Sequence, residues 1–409
     1  MGKQPSILMI VENLTVPIDR RVWQEATTLR DSGYTVSIIC PKGAQYTKSY
    51  ELLDDIHVFR HPMPIEADGA LGYALEYTWA LVWEFILSIR VYFKVGFDCV
   101  QACNPPDLIF IIGAFWKYLF GKPFLFDHHD INPELYEAKF GKRGAFHRLL
   151  LKLERWTFNT ADASIATNET FKSIAVDRGG MDPDKVFIVR SIPDLSRFKR
   201  IDPDARLRNG RRNVIGYVGI MGAQDGVDLL VEGMADLVNV QGRRDTQCVI
   251  VGSGTELDRL KGMVAAHRLE DYVSFTGFLS GKPLLQAFST FDIGVIPDPK
   301  NGYNDKISMN KVFEYMSLGI PFVQFDLDEG VMVAGEAALV ARNNSPLELA
   351  GQMARLLDDE TLRSRLSHTG KARAKALLRW ETERAQLLAA YEFLLKDRTA
   401  TTGAALPTR

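Results

Sequence analysis

Short apolar runs alternate along this chain with longer stretches whose apolar residues recur at helical spacing. In the first half the apolar runs cover residues 7–11, 35–40, 56–60, 97–102, 123–127, 163–166 and 186–189. In the second half they cover residues 214–218, 249–251, 273–275, 293–296 and 322–325. Strands that are apolar throughout, with helices between them, are typical of a parallel sheet covered on both faces. The pattern therefore predicts an α/β fold with two doubly wound, Rossmann-like domains.

The apolar periodicity stops between residues 190 and 213, where the chain is charged and contains Pro193 and Gly210. We interpret this stretch as a linker between domains. Helical spacing resumes in the last part of the chain and continues from residue 360 to residue 396. The predicted units are an N-terminal domain (1–190), a linker (191–212), a C-terminal domain (213–375), a helix that packs back on the N-terminal domain (376–396) and a disordered tail (397–409).

The composition excludes several classes of protein. The 409 residues are 46% apolar, which is enough for two domain cores. The 49 basic and 51 acidic residues nearly cancel, and no basic block with interleaved aromatic residues is present, so we expect no nucleic-acid partner. The four cysteines lack the paired spacing of a zinc site or a redox motif, and the first residues lack the features of a secretion signal. A reduced, cytoplasmic protein is expected.

Two apolar stretches, residues 71–95 and 108–126, approach the length of a membrane span. The first contains Glu84 and the second is interrupted by Pro123, so buried helices followed by strands are the favoured interpretation. Aromatic residues such as Trp79 leave a second interpretation open, in which the first stretch lies in a membrane interface. Peripheral contact with the cytoplasmic surface of the inner membrane therefore stays an alternative.

One segment, residues 305–321, combines opposite charges with a helical pattern after an apolar run. Ser308 suits the start of a helix, and Gly319 suits its end. Lys311 and Glu314 are three residues apart, so they project from one face of that helix. Helix starts beside the carboxyl ends of parallel strands bind phosphate, and a glutamate can accept two hydrogen bonds from a ribose diol. The segment therefore predicts a nucleotide-sugar site, with an exposed surface ion pair as the alternative.

Glycines follow two strands of the second half. Gly219 and Gly222 come directly after residues 214–218, where they permit close approach of the backbone to an anion. A plain tight turn would use the same residues. Gly252 and Gly254 lack the third glycine of a dinucleotide fingerprint, so an NAD-dependent dehydrogenase is not expected.

Imidazoles and carboxylates are concentrated just after the apolar run at residues 123–127. His129 can hydrogen-bond a phosphate or a sugar hydroxyl, and Asp130 or Glu134 can orient it or take a proton from an acceptor. Two alternatives stay open here. One is a metal site, since histidine and carboxylate are both ligands, and the other is a pair of histidines with a purely structural role.

Two further strand ends are followed by polar residues and a predicted helix. Asn104 follows the run at residues 97–102, and Asp19 and Arg21 follow the first run. Proline and aspartate in the same segments favour helix starts, and an arginine can bind an anion or an acceptor. A capping motif and a salt-bridged helix start are the structural alternatives.

Together these segments resemble glycosyltransferase family 4, the retaining enzymes of the GT-B fold, over almost the whole chain. The resemblance is carried, in matching order and spacing, by residues 17–26 (PIDRRVWQEA), 102–107 (ACNPPD), 127–130 (DHHD), 216–219 (GYVG) and 310–316 (NKVFEYM) with Gly319 and Pro321. It implies two Rossmann-like domains facing each other across a cleft. It also implies that the second domain holds a nucleotide diphosphate sugar and that the first holds the acceptor.

The resemblance, added to the residue patterns, gives each candidate a role. Glu314 is similar to the family glutamate that binds ribose, and His129 is similar to the first-domain histidine near the donor phosphate and sugar. The candidates are His129, Asp130 and Glu314 for catalysis; Gly219, Gly222, Lys306, Lys311 and Glu314 for the donor; and Asp19, Arg21, Asn104 and Glu134 for the acceptor.

The chain departs from the family pattern at three charged positions. Family members often carry a glutamate where this chain has Lys306, and they carry an arginine and a lysine near the positions of Ile220 and Asp225. The diphosphate charge is therefore expected to be balanced by Lys311, Lys306 and backbone N–H groups.

Together with these residues, the resemblance implies a hexosyltransferase that moves a sugar from a nucleotide diphosphate sugar to a saccharide or lipid-linked saccharide acceptor in surface polysaccharide synthesis. Retention of the anomeric configuration follows from the resemblance. No metal or other cofactor is expected, because helix termini and lysine supply positive potential. An epimerase or hydrolase of the same fold and a non-catalytic nucleotide-sugar-binding partner stay open as alternatives.

Overall fold

The computed structural model describes residues 4–62, 69–193 and 198–401. The chain divides into two compact units, each with its own sheet. The first unit comprises Met1–Tyr136, Lys142–Ser191 and Glu381–Arg409, and the second comprises Glu137–Gly141 and Ile192–Trp380. Two parallel-sheet, Rossmann-like domains confirm the predicted fold class.

The first half of the chain supplies eight strands and six helices among the described residues. They are β1 (Ser6–Ile10), α1 (Arg20–Asp31), β2 (Thr35–Pro41), β3 (Tyr50–Leu53), β4 (Ile56–His61), α2 (Gly69–Lys94), β5 (Cys99–Cys103), α3 (Phe110–Phe120), β6 (Phe124–His128), α4 (Asn132–Phe140), α5 (Ala145–Thr160), β7 (Ala163–Ala166), α6 (Glu169–Ser173) and β8 (Val186–Ile188).

The first sheet has the strand order β3-β4-β2-β1-β5-β6-β7-β8. Its described pairs are parallel except β3 with β4. Strands β1, β5 and β6 are buried at every position, which explains their largely apolar sequences. The sequence did not predict β3, because its four residues mix polar and apolar side chains at the edge of the sheet.

The second half continues with β9 (Asn213–Val218), α7 (Val227–Ala235), β10 (Thr246–Val251), α8 (Leu257–Ala266), β11 (Val273–Gly277), α9 (Gly281–Thr290), β12 (Ile293–Ile296), α10 (Asn310–Leu318), β13 (Phe322–Phe325), α11 (Asp328–Ala334), β14 (Ala338–Ala341), α12 (Pro346–Asp358), α13 (Glu360–Leu377) and α14 (Trp380–Thr401). The second sheet has the order β11-β10-β9-β12-β13-β14, and its strand pairs are parallel. Separate apolar clusters cover its two faces, with Ile215 in one and Val214 in the other.

The helical run predicted for residues 360–396 forms two helices, α13 and α14. Leu378 and Arg379 separate them, and α14 belongs to the first unit. There the Glu383 carboxylate accepts a hydrogen bond from the Arg190 backbone N–H at 2.7 Å, and the Phe393 ring lies 5.9 Å from the Phe187 ring. The predicted disordered tail falls on the last residues of α14 and on residues 402–409, which lie outside the described residues.

The two long apolar stretches form helices followed by strands, but these helices are not fully buried. Trp79 and Phe93 on α2 are 48% and 83% exposed, and Leu119 on α3 is 69% exposed. None of the helices within the described ranges is long and apolar enough to cross a membrane.

Each sheet has one point at which the strand order reverses. In the first sheet this switch point lies between β1 and β5, and in the second it lies between β9 and β12. In open parallel sheets, ligands bind outside the carboxyl ends of the strands at such a point. The segments that follow Cys103 and Val218 are therefore the places to look for a site.

Candidate active site

A buried ionic network lies at the carboxyl edge of the first sheet. The Arg21 guanidinium donates through Nη2 to Asp127 Oδ1 at 2.8 Å and through Nη1 to the Val189 carbonyl at 2.7 Å. Asp127 Oδ2 lies 2.7 Å from Nε2 of His129, whose side chain is 15% exposed. Asp127 itself is fully buried at the end of β6. The network therefore holds one partly exposed imidazole on a buried ion pair.

The charges of this network set the protonation of His129. Burial alone would raise the pKa of Asp127, but Arg21 and then His129 hold it well below its usual range. Burial lowers the pKa of His129, yet the Asp127 carboxylate outweighs this and raises it. The Arg21 Nε also lies 2.9 Å from His129 Nε2. Nε2 can accept from Arg21 only when it carries no proton; Asp127 favours a proton on Nε2, so we assign its hydrogen bond to the carboxylate. His129 Nδ1 has no hydrogen-bond partner among the described residues.

Cys103, Asp127 and His129 place ligand atoms within 4.8 Å of one another, which could hold a metal ion. The Arg21 guanidinium already contacts Asp127 and His129 at this point, so a metal would have to displace a fixed cation. Burial also raises the pKa of the Cys103 thiol well above its usual value, with Asp127 adding to the shift. The donor set therefore fits a guanidinium better than a metal.

Asn104, a predicted acceptor residue, holds the backbone of the histidine loop. Its Oδ1 accepts hydrogen bonds from the N–H groups of His129 at 2.8 Å and Asp130 at 3.1 Å. Its Nδ2 donates to the Asp130 carbonyl at 2.6 Å and to Asp107 Oδ1 at 2.9 Å. Burial raises the pKa of Asp107 to about 6. Asn104 is 2% exposed, so it fixes the loop rather than presenting its amide to a ligand.

Two other polar residues of this segment, Glu134 and His128, also have structural surroundings rather than an exposed position. Both Glu134 oxygens accept hydrogen bonds from Arg178, at 2.7 and 3.1 Å, and Arg178 also binds Glu154. His128 is fully buried against the rings of Phe126, Phe158 and Phe171. Burial lowers its pKa to about 3, so this imidazole stays neutral. His128 therefore has the purely structural role that was left open for both histidines. The neighbouring His129 is partly exposed and bonded to Asp127.

Asp19, another predicted acceptor residue, is the N-cap of α1. Its Oδ1 accepts a hydrogen bond from the Val22 N–H at 3.0 Å, and its side chain is half-buried. This carboxylate therefore caps a helix, and the salt-bridged helix start expected as the alternative is present through Arg21. Arg21 follows in the first turn and is 9% exposed, so its guanidinium points into the network described above.

At the switch point of the second sheet, Lys311 forms a buried ion pair. Its Nζ lies 2.8 Å from Asp298 Oδ2, and its side chain is 12% exposed. The ammonium also lies 5.0 Å from the centre of the Tyr217 ring. Burial lowers the pKa of Lys311, but Asp298 and then Asp225 raise it overall, so the lysine stays charged. The predicted phosphate cation therefore already has a carboxylate partner.

Asp225 adds a second carboxylate near this lysine. Its Oδ2 accepts a hydrogen bond from the Gly222 N–H at 2.9 Å. Burial raises its pKa to about 6, and Lys311 only partly offsets that effect. Above this pH, two carboxylates and one ammonium lie together, so the cluster carries net negative charge.

The glycine loops after β9 and β10 are packed against each other. The Gly219 N–H donates to the Val251 carbonyl, and the Met221 N–H donates to the Ser253 carbonyl, both at 3.0 Å. Gly252 has φ of +135°, and a Cβ at that position would lie 1.8 Å from the Gly219 carbonyl oxygen. Only glycine fits there. The first loop is therefore held in place by its neighbour.

The segment that contains Lys306 and Glu314 differs at its start from the prediction. The N-cap of α10 is Met309, and Ser308 instead donates through its hydroxyl to Glu329 Oε1. The C-cap is Gly319 with φ of +62°, as predicted. Glu314 is 8% exposed on α10, and Lys306 is half-buried in the preceding turn.

Two family models match this chain. The model described as Glycosyltransferase Family 4 matches residues 18–197, and the model described as Glycosyl transferases group 1 matches residues 212–359. Together they cover both domains, including His129 and Glu314. The chain belongs to the GT-B glycosyltransferases.

Individual relatives agree with this assignment. The alpha-D-kanosaminyltransferase of Streptomyces kanamyceticus is 29% identical over 180 residues, a match that spans 42% of this chain and 45% of that enzyme. The sucrose-phosphate synthase of Thermosynechococcus elongatus has a similar structure, with a TM-score of 0.77 at 19% identity over 98% of this chain and all of the other. HepE of Anabaena, solved with UDP-glucose, has a TM-score of 0.71 at 14% identity over 95% and 99% of the two chains.

Three residues of this glycosyltransferase that belong to the two charged networks were missed in the sequence. Asp298 pairs with Lys311, Gln101 contacts Asp127, and Tyr391 contacts Gln101. Asp298 follows the strand β12 by two residues. Its position just after a predicted strand was the one feature of the sequence that could have marked it as a site residue. Gln101 is the one polar residue in the strand β5, and this feature could likewise have marked it as a site residue.

Proposed function

We propose that this chain transfers a hexosyl group from a nucleotide diphosphate sugar to a saccharide or lipid-linked saccharide acceptor in surface polysaccharide synthesis, with retention of configuration. The observation that carries the proposal is the gathering of buried charged side chains at the switch point of each sheet, in a chain of the GT-B family. The UDP-glucose bound to HepE supports a nucleotide sugar as the donor.

The second domain would hold the donor. Gly219 and Gly222 follow the carboxyl end of β9, where the lack of a side chain lets a diphosphate approach the backbone, although their own N–H groups already donate to Val251 and Asp225. Lys311 and Lys306 would add positive charge, and Glu314 would accept hydrogen bonds from the ribose diol. The Asp298 carboxylate keeps Lys311 in a fixed position, so a phosphate would meet an already oriented ammonium.

The first domain would hold the acceptor and assist the departure of the diphosphate. With Nε2 bonded to Asp127, a protonated His129 has an N–H at Nδ1 that can stabilise developing negative charge. The bond from the anomeric carbon to the phosphate oxygen breaks, and a bond to the acceptor oxygen forms. Asp130 is the candidate for the acceptor proton, and Asp19 stays the candidate for acceptor binding. We propose that Arg21, Asn104 and Glu134 serve this site by holding it in shape.

The proposal is tested by incubating the protein with labelled nucleotide sugars and native lipid extracts. We expect a labelled saccharide or glycolipid whose new linkage has the anomeric configuration of the donor, as read by NMR. Free sugar formed at the same rate without an acceptor would identify a hydrolase, and an altered nucleotide sugar would identify an epimerase.

A second candidate is a non-catalytic partner that binds nucleotide sugars. It is favoured by the ion pair between Lys311 and Asp298 and by the nearby Asp225, since this arrangement leaves little net positive charge for a diphosphate. Calorimetry that detects donor binding, together with no turnover on any acceptor fraction, would favour this candidate over the enzyme.

We also propose that the first domain works at the cytoplasmic surface of the membrane. Trp79, Val82 and Ile86 are each about half exposed along one side of α2, and Tyr118 and Leu119 on α3 are 69% exposed. The two helices contact each other through Phe85 and Phe115. Exposed aromatic and aliphatic residues of this kind suit a membrane interface. Flotation with anionic vesicles should recover the protein, and Trp79→Ser with Leu119→Ser should leave it in the soluble fraction.

A further inference from the structure

We infer that Tyr391, on the C-terminal helix α14, is a positioning residue for His129 and acts through Gln101 and Asp127. The inference deepens the proposed function, since it rests on a role for His129 in transfer. It makes the last helix of the chain part of the first-domain site, although Tyr391 lies 290 positions from Gln101 in the sequence.

Gln101 is the central residue of this connection. It is fully buried on β5. Its Nε2 donates to Asp127 Oδ2 at 2.9 Å and to Glu25 Oε2 at 2.8 Å, so both amide protons are used. Its Oε1 accepts the hydroxyl proton of Tyr391. Each polar atom of this side chain therefore has a partner.

The Tyr391 hydroxyl decides which way the Gln101 amide faces. A glutamine amide presents two donors on one side and an acceptor on the other, and rotation about its last bond exchanges them. With a hydroxyl donor at Oε1, the NH₂ group must face the Asp127 carboxylate and the Glu25 carboxyl group. Burial raises the pKa of Tyr391 well above its usual value, so the phenol stays a donor over the whole working range of pH.

The amide in turn shapes the hydrogen bond that holds the imidazole. Asp127 Oδ2 accepts from Gln101 and is also the partner of His129 Nε2 at 2.7 Å. Without the amide donor, this oxygen carries more negative charge and becomes a stronger base. The imidazole of His129 would then bind its proton more tightly. Asp127 would also lose one of the hydrogen bonds that hold it in position. Arg21, Asp19 and Glu25 are the other titratable groups around His129, and burial raises the pKa of Glu25 to about 8.

A simpler role for Tyr391 would be packing, because its ring lies 6.0 Å from the ring of Tyr34. Tyr391→Phe keeps that ring and removes only the hydroxyl. Tyr34→Phe removes a hydroxyl from the same cluster without touching Gln101, which makes it a matched control. Gln101→Met keeps the length of the side chain and removes the amide.

The experiment measures the pKa of His129 by NMR, the kcat of sugar transfer and the KM for the donor in these variants and in the double variant Tyr391→Phe/Gln101→Met. We expect Tyr391→Phe and Gln101→Met each to raise the His129 pKa by about one unit, the scale of one lost hydrogen bond to a carboxylate. We expect kcat to fall about tenfold with an unchanged donor KM. The double variant should match Gln101→Met alone, because both changes remove the same connection.

A His129 pKa in Tyr391→Phe equal to that of wild type or of Tyr34→Phe would overturn the inference. Additive effects in the double variant would do so as well, since they would mean that Tyr391 does not act through Gln101. If wild type proves inactive in transfer, the proposed function fails, while the NMR titration still decides whether Tyr391 controls His129.

Discussion

The two switch points have the same topology but use charge differently. In the first domain, buried Arg21 and Asp127 support an imidazole that is 15% exposed and retains an unpartnered Nδ1 among the described residues. In the second domain, Lys311, the cation predicted to bind phosphate, is itself paired with Asp298. The shared topology therefore determines where polar side chains gather in each domain. The neighbouring side chains determine whether the group there is accessible, as for His129, or paired with an opposite charge, as for Lys311.

The largest expected effect is at the first switch point. His129→Ala should lower kcat by about 10²- to 10⁴-fold, the usual scale for a group that assists proton transfer or charge development. Thermal unfolding should be little changed, since the ring is partly exposed. Exposed His267 supplies the control, and His267→Ala should transfer sugar at the wild-type rate. A normal rate for His129→Ala would remove the imidazole from the proposed mechanism.

The next effect belongs to the second domain and should appear in binding. Glu314→Ala should weaken donor affinity by about 10- to 100-fold, because hydrogen bonds to a carboxylate contribute about 1.5–3 kcal/mol. Calorimetry with the nucleotide sugar measures this directly, with the exposed Glu336→Ala as the control. Unchanged affinity would separate Glu314 from the donor.

Stability should distinguish the two neighbouring histidines of the first domain. His128 has a pKa of about 3 in the folded protein, against an ordinary value of 6.5, so the unfolded chain takes up a proton first as the pH falls. Stability from the neutral imidazole is present above pH 6.5 and is lost progressively towards pH 3. His128→Phe should remove this loss and stabilise the protein by about 2 kcal/mol at pH 5 relative to wild type.

Denaturant unfolding at pH 5 and pH 7.5 measures that difference. His128→Phe should keep sugar transfer, because the ring lies in an apolar core. Equal stability of the two proteins at pH 5 would mean that His128 has a partner that offsets its burial.

The smallest effect tests the charge at the second switch point. The pKa of Asp225 is about 6, so its carboxylate is negative above that pH and neutral below it. A nucleotide diphosphate sugar keeps its negative charge over this range, so donor affinity should rise about threefold or more between pH 8 and pH 5. Asp225→Asn should bind tightly at both values. A pH dependence that persists in this variant would assign the titration to another group.

Sequence reasoning worked where the signal was local. The largely apolar strands and the Gly319 stop depend on neighbouring residues, and each appears as predicted. It did not find partners that are distant in sequence. Arg178 lies 44 positions from Glu134, and Asp298 lies 13 from Lys311, so only the folded chain reveals that these charges are paired.

The same limit explains why several candidates turned out to hold the site rather than to face a ligand. Asn104 has the composition of a binding residue, but four hydrogen bonds to Asp107, His129 and Asp130 occupy its amide. A sequence cannot distinguish an amide that awaits a ligand from one that is already saturated by backbone.

The first domain is assembled from two distant parts of the chain, since α14 follows the entire second domain. During synthesis, Gln101 leaves the ribosome long before Tyr391, so the amide at the centre of the histidine network lacks its tyrosine partner until α14 has emerged. The second domain, from Ile192 to Trp380 apart from one short segment, has no such delay. A fragment that ends at residue 380 should therefore contain a complete second domain and an unfinished first one.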